Sequence, residues 1–327
     1  ALNGSNITTS GNQTYTGAIT LGAATTLTGS NVTTTSAGST IAGGGNSLAV
    51  VGNASIAGDV SNVSTVSVSG TTRLAANVSS TASQTYVGAI TLGADATVLT
   101  NGASAIITTT STVNSDGTAR ALTLNASGAT GKVVVASAVG NSAALNQLAI
   151  NASAIALNGS SVNTTGSQTF SGNITLGNTV TARASGANAI ITANNAINSD
   201  SAGARGLSLN ASGSTGSVIL QSAVGNATAL ANLTLNGSTI AMNGANVTTS
   251  GTNATAGQIT HGLQVANTKT GSSATNVAAS FSASGGASNY AILVPSGRVG
   301  IGTSAPNVTL DVVGTTNIVG ATNINTT

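Results

Sequence analysis

"GSQTFSGNITLGN", residues Gly166–Asn178, is the last of three similar stretches in the chain. "GNQTYTGAITLGA" begins at Gly11, and "ASQTYVGAITLGA" begins at Ala82. Each stretch contains Gln-Thr followed by one aromatic residue, and the three aromatic residues are Tyr15, Tyr86 and Phe170. Such recurrence is typical of proteins that stack similar structural units. The motif therefore predicts an architectural role rather than a catalytic one.

A longer unit surrounds this motif. The sequence that begins "IITTTSTVNSDGTARALTLNASGATG" at Ile106 returns as "IITANNAINSDSAGARGLSLNASGSTG" at Ile190. Units that cannot bury a hydrophobic face alone must stack on their neighbours. We therefore expect residues 1–256 to form a repetitive β-solenoid of 84–85-residue super-repeats, as the spacing of these equivalent residues indicates: Asn114 and Asn198, Asp116 and Asp200, Arg120 and Arg205.

Short apolar bursts, separated by Gly, Asn and Ser, recur at intervals of roughly ten residues, as expected for short strands joined by tight turns. Most of the apolar residues larger than Ala are the β-branched Val and Ile, which favours strands over helices. The alternation "LTLN" at Leu122 puts Leu on one face and Thr or Asn on the other. The predicted fold class is all-β, a parallel β-helix, with strands at 18–21, 89–92, 122–124, 132–135, 148–150, 173–176 and 218–220.

Similar side chains form ladders when the coils of a parallel β-helix stack. The repeated motif therefore predicts that Tyr15, Tyr86 and Phe170 hold equivalent positions in a structural aromatic stack that fills one recurrent gap in the core. A surface row of aromatic residues that binds cell-surface glycans is the alternative. Asn residues at the turns predict ladders of Asn side chains that bond to their stacked copies.

Composition excludes several other classes of protein. The chain is 40% hydrophobic and only 4% charged, whereas disordered segments combine low hydrophobicity with high charge. Its Lys and Arg residues are scattered singly, so the net charge of +2 does not predict a nucleic-acid partner. The absence of Cys excludes disulfides. No apolar run is long enough to span a membrane as a helix.

"SQTYVGAITLGADATVLT" and "IALNGSSVNTTGSQTFSGNITLG" resemble the repeats of large secreted adhesins of the filamentous-haemagglutinin type. The resemblance covers most of residues 1–256. It implies a right-handed parallel β-helix and an adhesin-like role at a cell surface.

The composition shifts near Thr255, which predicts a separate small β module over residues 257–327. Within residues 289–318, "GRVGIGTSAPNVTLDVVG" resembles a segment of bacteriophage tail fibres and other trimeric surface fibres. That resemblance implies an oligomerisation motif made of Gly297, Val299, Gly300, Ile301, Gly302, Pro306, Leu310 and Val312. "GRVGIG" is not a dinucleotide fingerprint, because a second strand-like run, rather than a helix, follows it.

The start of the chain repeats an internal stretch. "ALNGSNITTSGNQTYTGAITLG" at Ala1 aligns with "ALNGSSVNTTGSQTFSGNITLG" at Ala156, so the chain opens inside a unit. Solenoids normally need capped ends, and an uncapped first coil favours the addition of another copy. We therefore expect subunits to join end to end as a homo-oligomer.

The residues that could support catalysis are few. His261 is the single His, and the only carboxylates are those of five Asp residues. Some β-helix enzymes use paired Asp, and the best candidates here are Asp116 and Asp200, but a stacked turn or a local Asp–Arg pair explains both. We predict no enzyme activity, no cofactor, no metal site and no catalytic residue.

The predicted function is therefore that of a non-catalytic structural subunit of an extracellular fibre, filament or adhesin stalk. A phage or surface tail fibre that binds a receptor or glycan is the alternative, and an ice-binding solenoid with outward Thr rows is a third reading. The location is predicted to be the cell surface or the virion surface. Handedness, the choice among filament, trimer and single rod, and glycosylation at the Asn-x-Ser/Thr sites stay open.

Overall fold

The computed structural model describes residues 1–200, 205–243, 299–301 and 307–313. The chain divides into two units, 1–264 and 265–327, and each is described by itself. The predicted boundary at residue 256 stays a prediction. The described residues contain strands and no helix. The first fourteen strands are β1 Asn6–Thr8, β2 Gln13–Tyr15, β3 Ile19–Thr20, β4 Thr25–Thr34, β5 Ile41–Ala42, β6 Leu48–Ile56, β7 Val60–Val63, β8 Val66–Val68, β9 Thr72–Leu74, β10 Val78–Ser80, β11 Gln84–Tyr86, β12 Ile90–Leu92, β13 Ala96–Thr100 and β14 Ile106–Thr109.

The later strands continue the same pattern of short segments. They are β15 Val113–Ser115, β16 Ala121–Ala126, β17 Lys132–Val135, β18 Gln147–Leu157, β19 Ser161–Thr164, β20 Gln168–Leu176, β21 Val180–Ala184, β22 Ile190–Ala193, β23 Ile197–Ser199, β24 Gly206–Ala211, β25 Ser217–Leu220, β26 Asn232–Asn236, β27 Thr239–Met242, β28 Val299–Ile301 and β29 Leu310–Val312.

The strands of the first unit pair in parallel, and successive coils lie on one another to form a solenoid of about 11 turns. Each coil passes through three faces, which we number from the strands that begin them: face 1 from β1, face 2 from β2 and face 3 from β3. The inward ladder of face 1 runs through Ile7, Leu27, Val50, Val68, Tyr86, Thr109, Val135, Leu157, Leu176 and Ser199.

The other two faces form ladders of eleven residues each. Face 2 runs through Gln13, Val32, Ala54, Thr72, Ile90, Val113, Val139, Val162, Ala182, Leu209 and Leu235. Face 3 runs through Ile19, Ile41, Val60, Val78, Val98, Leu124, Ile150, Phe170, Ala193, Leu220 and Met242. The predicted all-β parallel solenoid is confirmed.

Alternation of side chains explains why these segments form strands with a buried inner face. In β16, Leu122 and Leu124 are each 2% exposed, while Thr123 between them points outward. Every strand predicted from the sequence has a counterpart in the structure. The core is therefore a thin column of Leu, Ile, Val and Ala, which suits a chain with few aromatic residues.

The corners between faces are built from residues that tolerate close stacking. Between faces 1 and 2, Gly29, Gly52, Gly70 and Gly88 lie one above another, and a Cβ on Gly52 would overlap the Gly29 carbonyl oxygen. The amide of Gly70 donates to the Gly52 carbonyl (2.9 Å), so the backbone itself continues the ladder at this corner. Glycine is required here because any Cβ would push the coils apart.

Asn side chains form a second ladder beside these glycines. Asn31 Nδ2 donates to Asn12 Oδ1 (2.9 Å), and Asn53 Nδ2 donates to Asn31 Oδ1 (3.2 Å). The predicted Asn ladder is therefore present at this corner. Each amide bonds to the coil below and to the coil above, which satisfies polar groups at the edge of the strands.

The second unit contributes one described pair of strands. β28 and β29 pair in parallel, with Val299 opposite Leu310 and Ile301 opposite Val312. The amide of Asn307 donates to Asp311 Oδ2 (2.9 Å) just before β29 begins. A small β element is thus present in the predicted C-terminal module.

We expect Gly52→Ala to lower the free energy of unfolding by about 2 kcal/mol or more, because Gly52 combines a φ of 128° with the overlap on the Gly29 carbonyl. Gly17→Ala is the matched control, since open space surrounds Gly17, and its effect should stay within about 0.5 kcal/mol. Urea denaturation followed by circular dichroism measures both. Equal effects would show that the corner does not limit the coil spacing.

Candidate functional site

The three repeated aromatic residues do not form one stack. Tyr15 lies on face 2 opposite Thr34, Tyr86 lies on face 1 between Val68 and Thr109, and Phe170 lies on face 3 between Ile150 and Ala193. Tyr86 is 0% and Phe170 is 2% exposed, and Tyr15 packs partly buried against the core. The aromatic residues fill core positions, as predicted, but the prediction of a common column is wrong.

The reason lies in the number of face segments per repeat. We call the part of a coil that lies on one face a segment: β4, β6, β18 and β20 each contribute two segments, and Val139 contributes one through its isolated bridges. The chain advances by eleven segments from that of Tyr15 to that of Tyr86, and by eleven more to that of Phe170. Because eleven is not a multiple of three, each unit is rotated by one face relative to the unit before it. The repeat therefore places one aromatic residue on each face.

The Gln that precedes each aromatic residue has a structural role that sequence reasoning missed. Gln84 is 0% exposed, and its Nε2 donates to the carbonyls of Leu99 (2.6 Å) and Val78 (3.4 Å). Val78 belongs to the strand before Gln84, and Leu99 belongs to the next coil. One buried amide therefore ties a corner of one coil to the coil that follows it.

The other two motifs repeat this arrangement. Gln13 Nε2 donates to the carbonyls of Ile7 (3.0 Å) and Thr28 (2.8 Å). Gln168 Nε2 donates to those of Val162 (3.1 Å) and Arg183 (2.9 Å). The accepting carbonyls lie six residues before and 15 residues after the Gln in all three motifs. We call each of these units a glutamine corner.

The aromatic residue completes the glutamine corner only when it carries a hydroxyl. Tyr15 and Tyr86 donate their hydroxyls to Gln13 Oε1 and Gln84 Oε1, each at 2.8 Å. Phe170 has no hydroxyl, and Gln168 Oε1 is buried without a hydrogen-bond partner. A buried acceptor without a partner lowers stability. The third corner therefore lacks, at Gln168 Oε1, a hydrogen bond that the other two corners have.

An acidic pair suited to catalysis does not form. Asp116 follows β15 on face 2, whereas Asp200 follows β23 on face 1. Each carboxylate accepts a hydrogen bond from its local Arg: Arg120 Nε reaches Asp116 at 3.2 Å, and Arg205 Nε reaches Asp200 at 2.8 Å. The hydrogen bond from Arg120 lowers the pKa of Asp116. Both residues serve local turns, as the sequence indicated.

Other Asp and Asn side chains accept hydrogen bonds from backbone amides of the solenoid. Asp59 Oδ1 accepts the amide of Asn77 (2.9 Å), and Asp95 Oδ1 accepts the amide of Ala121 (2.8 Å). Asn114 Oδ1 accepts the amide of Ser142 (3.0 Å). Within the described ranges, no cluster of three or more His, Cys, Asp or Glu could hold a metal ion. His261 lies outside the described residues.

The predicted oligomerisation motif is described only in part. Val299 and Ile301 lie in β28, and Leu310 and Val312 lie opposite them in β29, so the pairing brings together two halves of the motif. Ile301 is 53% and Leu310 is 58% exposed. Gly297, Gly302 and Pro306 lie outside the described residues, and Gly300 pairs with Asp311.

The ends of the described solenoid leave core side chains partly exposed. Leu2, Ile7 and Tyr15 belong to the first coil, and Leu233, Leu235 and Met242 belong to the last described coil. Apart from Ala152, these are the partly buried hydrophobic residues that pack against the core in the described part of the chain. The inward side chains of these two coils are thus less covered than those of the coils between them.

No protein-family model, curated protein or solved structure matches the chain. The described residues include no helix with the length and hydrophobicity needed to cross a membrane. The resemblance to adhesin repeats is therefore supported at the level of the β-solenoid alone.

We expect Phe170→Tyr to raise the free energy of unfolding by about 1 kcal/mol, because the new hydroxyl would supply the missing donor to Gln168 Oε1. Tyr86→Phe should lower it by about 1 to 2 kcal/mol, since Gln84 Oε1 then loses its partner. Chemical denaturation measures both changes. The gain from Phe170→Tyr should vanish in a Gln168→Leu background, and a gain that persists there would assign the effect to packing instead.

Stability should also fall at alkaline pH because of Tyr86. Burial raises the pKa of Tyr86 far above its usual value of 10.0. Below about pH 10 the Tyr86 hydroxyl is neutral in both the folded and the unfolded chain, and its contribution to the free energy of unfolding is complete. At higher pH this tyrosine ionises first in the unfolded chain, so the contribution is lost as the pH rises toward the pKa in the folded chain. Denaturation midpoints measured between neutral pH and about pH 12 should fall less steeply in Tyr86→Phe than in the parent. Parallel curves for the two proteins would contradict this account. Tyr15 is present in both proteins, so its own ionisation does not contribute to the difference between the curves.

Proposed function

We propose that the protein is a non-catalytic structural subunit of an extracellular fibre, filament or adhesin stalk that associates end to end with copies of itself. The observation that supports it best is the continuous set of three ladders whose core residues are partly exposed at both described ends. A next coil placed on such an end would bury these side chains and extend each ladder. Burial of apolar area is the main driving force for association of this kind.

The hydrogen bonds between successive coils favour a stiff solenoid. Backbone hydrogen bonds join each coil to the next on every face, and Asn and Gln side chains add bonds at the corners. The turns between strands are short, which leaves little loop for proteolysis. Extension and rigidity are therefore the properties that we assign to the subunit.

The C-terminal module supports assembly through a second surface. Ile301, Val308, Leu310 and Val313 are each more than half exposed in the described part of this unit. Apolar side chains gathered on so small an element favour burial against another chain. The location outside the cell rests on the resemblance of the repeats to secreted adhesins and of residues 289–318 to surface fibres.

The residues on which glycan binding and ice binding would depend are not arranged for either role. Tyr86 and Phe170 are buried, so these aromatic residues cannot form a surface row for glycans. The outward positions of face 2 pass through Thr14, Thr33, Ser55 and Arg73, which is not the regular Thr array that ice binding requires. We therefore advance neither as a second function.

We expect electron microscopy of the purified protein to show unbranched filaments that lengthen with protein concentration. Leu235→Asp should abolish them, because a charge on the inner face of the last described coil would be buried by the next subunit. Val51→Asp is the control, since Val51 is 47% exposed on the side of the solenoid, and it should leave filaments intact. Circular dichroism checks that both variants stay folded. Single rods at all concentrations would contradict the proposal.

A further inference from the structure

Large hydrophobic side chains reach the outer surface of the solenoid mainly on face 1. Five such residues are exposed in the described part of the first unit, and three of them, Val51, Val87 and Ile106, lie on face 1 between β6 and β14. The other two, Ile190 and Ile240, lie on face 3 later in the chain. Exposed apolar side chains that gather on one face indicate an interaction surface.

The same face is almost free of charge in its first seven coils, which run from β1 through β4, β6, β8, β11 and β14 to β17. The exception is Lys132, which begins β17 at the edge of the seventh coil. A face without charges can meet its own copy without repulsion between like charges. The other charged residues of these coils lie on or beside faces 2 and 3: Asp59, Arg73, Asp95, Asp116 and Arg120.

The area of face 1 is sufficient for a specific contact. Seven strands about 4.8 Å apart and about 16 Å long give roughly 500 Å² on each partner, or roughly 1,000 Å² in total. That total is about the lower limit for a specific protein–protein interface. The side chains of the central outward column are small, so a second sheet can approach closely: Thr26, Ala49, Ser67, Thr85 and Thr108.

Val51 and Val87 are placed symmetrically about β8, the fourth of these seven strands. Because β6, β8 and β11 pair in parallel without a shift, the two valines lie in one outward column, one coil below and one coil above Ser69. They are 47% and 46% exposed. A two-fold axis along β8 would therefore place Val51 on Val87 of a second copy, and Val87 on Val51 of that copy.

A parallel arrangement of two copies would cover face 1 less well. To bring the same valines together, it would have to be centred on their column, at the edge of face 1 beside the corner of Gly52 and Gly70. The coil turns away at this corner, so about half of each face would stay uncovered. The antiparallel arrangement about β8 covers all seven strands of both copies.

We propose that face 1 of the first seven coils binds face 1 of a second copy of the chain, which lies antiparallel and is related by a two-fold axis along β8. Ser67 then lies opposite Ser67 of the second copy. Thr26 lies opposite Thr108 of that copy, and Val51 lies opposite its Val87. The contact is on the side of the solenoid and does not depend on the proposed end-to-end assembly. Where both contacts form, filaments associate in pairs, and every subunit adds to the strength of the pairing.

The chain contains no Cys, so single cysteines can test this arrangement directly. Ser67→Cys in the full chain places two thiols at the two-fold axis. Facing sheets lie about 10 Å apart, and two opposed cysteine side chains span enough of that distance for dibromobimane, a short thiol cross-linker, to join them. We expect covalent dimers on a denaturing gel. Ser61→Cys, at an exposed serine on face 3, is the matched control and should give at least about tenfold fewer dimers.

Thr26→Cys and Thr108→Cys test the direction of the pair. Both residues lie in the column of Ser67, two coils below it and two coils above it. In the antiparallel pair, each thiol lies about 19 Å from the same residue of the other copy, so neither variant alone should cross-link. An equimolar mixture of the two variants should give dimers that contain one chain of each. Cross-linking of either variant alone would indicate a parallel pair and overturn the proposed arrangement.

Charges introduced at the two valines test the contact itself. In the Ser67→Cys background, Val51→Asp should reduce the yield of cross-linked dimer about tenfold or more, because the carboxylate is buried against Val87 of the second copy. Val87→Lys alone should have a similar effect. Val51→Asp/Val87→Lys should restore the dimer, since each Asp then faces a Lys of the second copy. Failure of this double variant to recover the yield would contradict the pairing of the two positions.

Circular dichroism checks that each variant stays folded. Absence of dimers from Ser67→Cys, or a yield equal to that of Ser61→Cys, would overturn the proposal. If dimers are absent and N-ethylmaleimide also fails to reach the Ser67→Cys thiol, another part of the chain covers face 1, and the proposal is equally overturned. Each of these results leaves the proposed end-to-end assembly standing, because filaments are scored separately by electron microscopy.

Discussion

The parallel hydrogen-bonded ladder between successive coils is the constraint on which the remaining structure depends. It fixes the spacing of the chain at about 4.8 Å on the faces and at the corners alike. The corners then accept few residue types. Gly29 and Gly52 approach without a Cβ, Asn31 bonds to its stacked copies, and Gln84 turns a buried side chain into a bridge between coils. The unusual composition of the chain follows from this spacing.

The strands could be predicted from the sequence because the alternation of inward and outward side chains is local. The rotation of each repeat by one face could not be predicted in this way. Val50 and Val68, one coil apart, are separated by 18 residues, whereas Thr109 and Val135, also one coil apart, are separated by 26. Residue spacing therefore does not reveal the face on which a residue lies. The face depends on the number of segments, and one of these is a single residue, Val139, which bridges to Val113 and Val162 and leaves no alternation in the sequence.

The glutamine corner shows a different limit of sequence reasoning. The Gln-Thr pair before each aromatic residue was visible in the sequence, but Gln is usually exposed, so its recurrence suggested no buried role. Only the structure places its amide against carbonyls of two coils. The Asp116–Arg120 and Asp200–Arg205 pairs were predictable, by contrast, because both partners lie within one turn of the chain.

The rotation of the repeat bears on the shape that a structural subunit needs. Three aromatic residues on one face would enlarge that face in every unit, and close-packed cores transmit such volume differences to the backbone. With Tyr15, Tyr86 and Phe170 on three faces, the added volume is shared equally around the coil after three units. The same three units return the chain to its starting face. Because Leu2 and Met242 lie on the same face, a further block added in the proposed end-to-end assembly would begin on the face where the first block began, and its aromatic residues would again be distributed over all three faces.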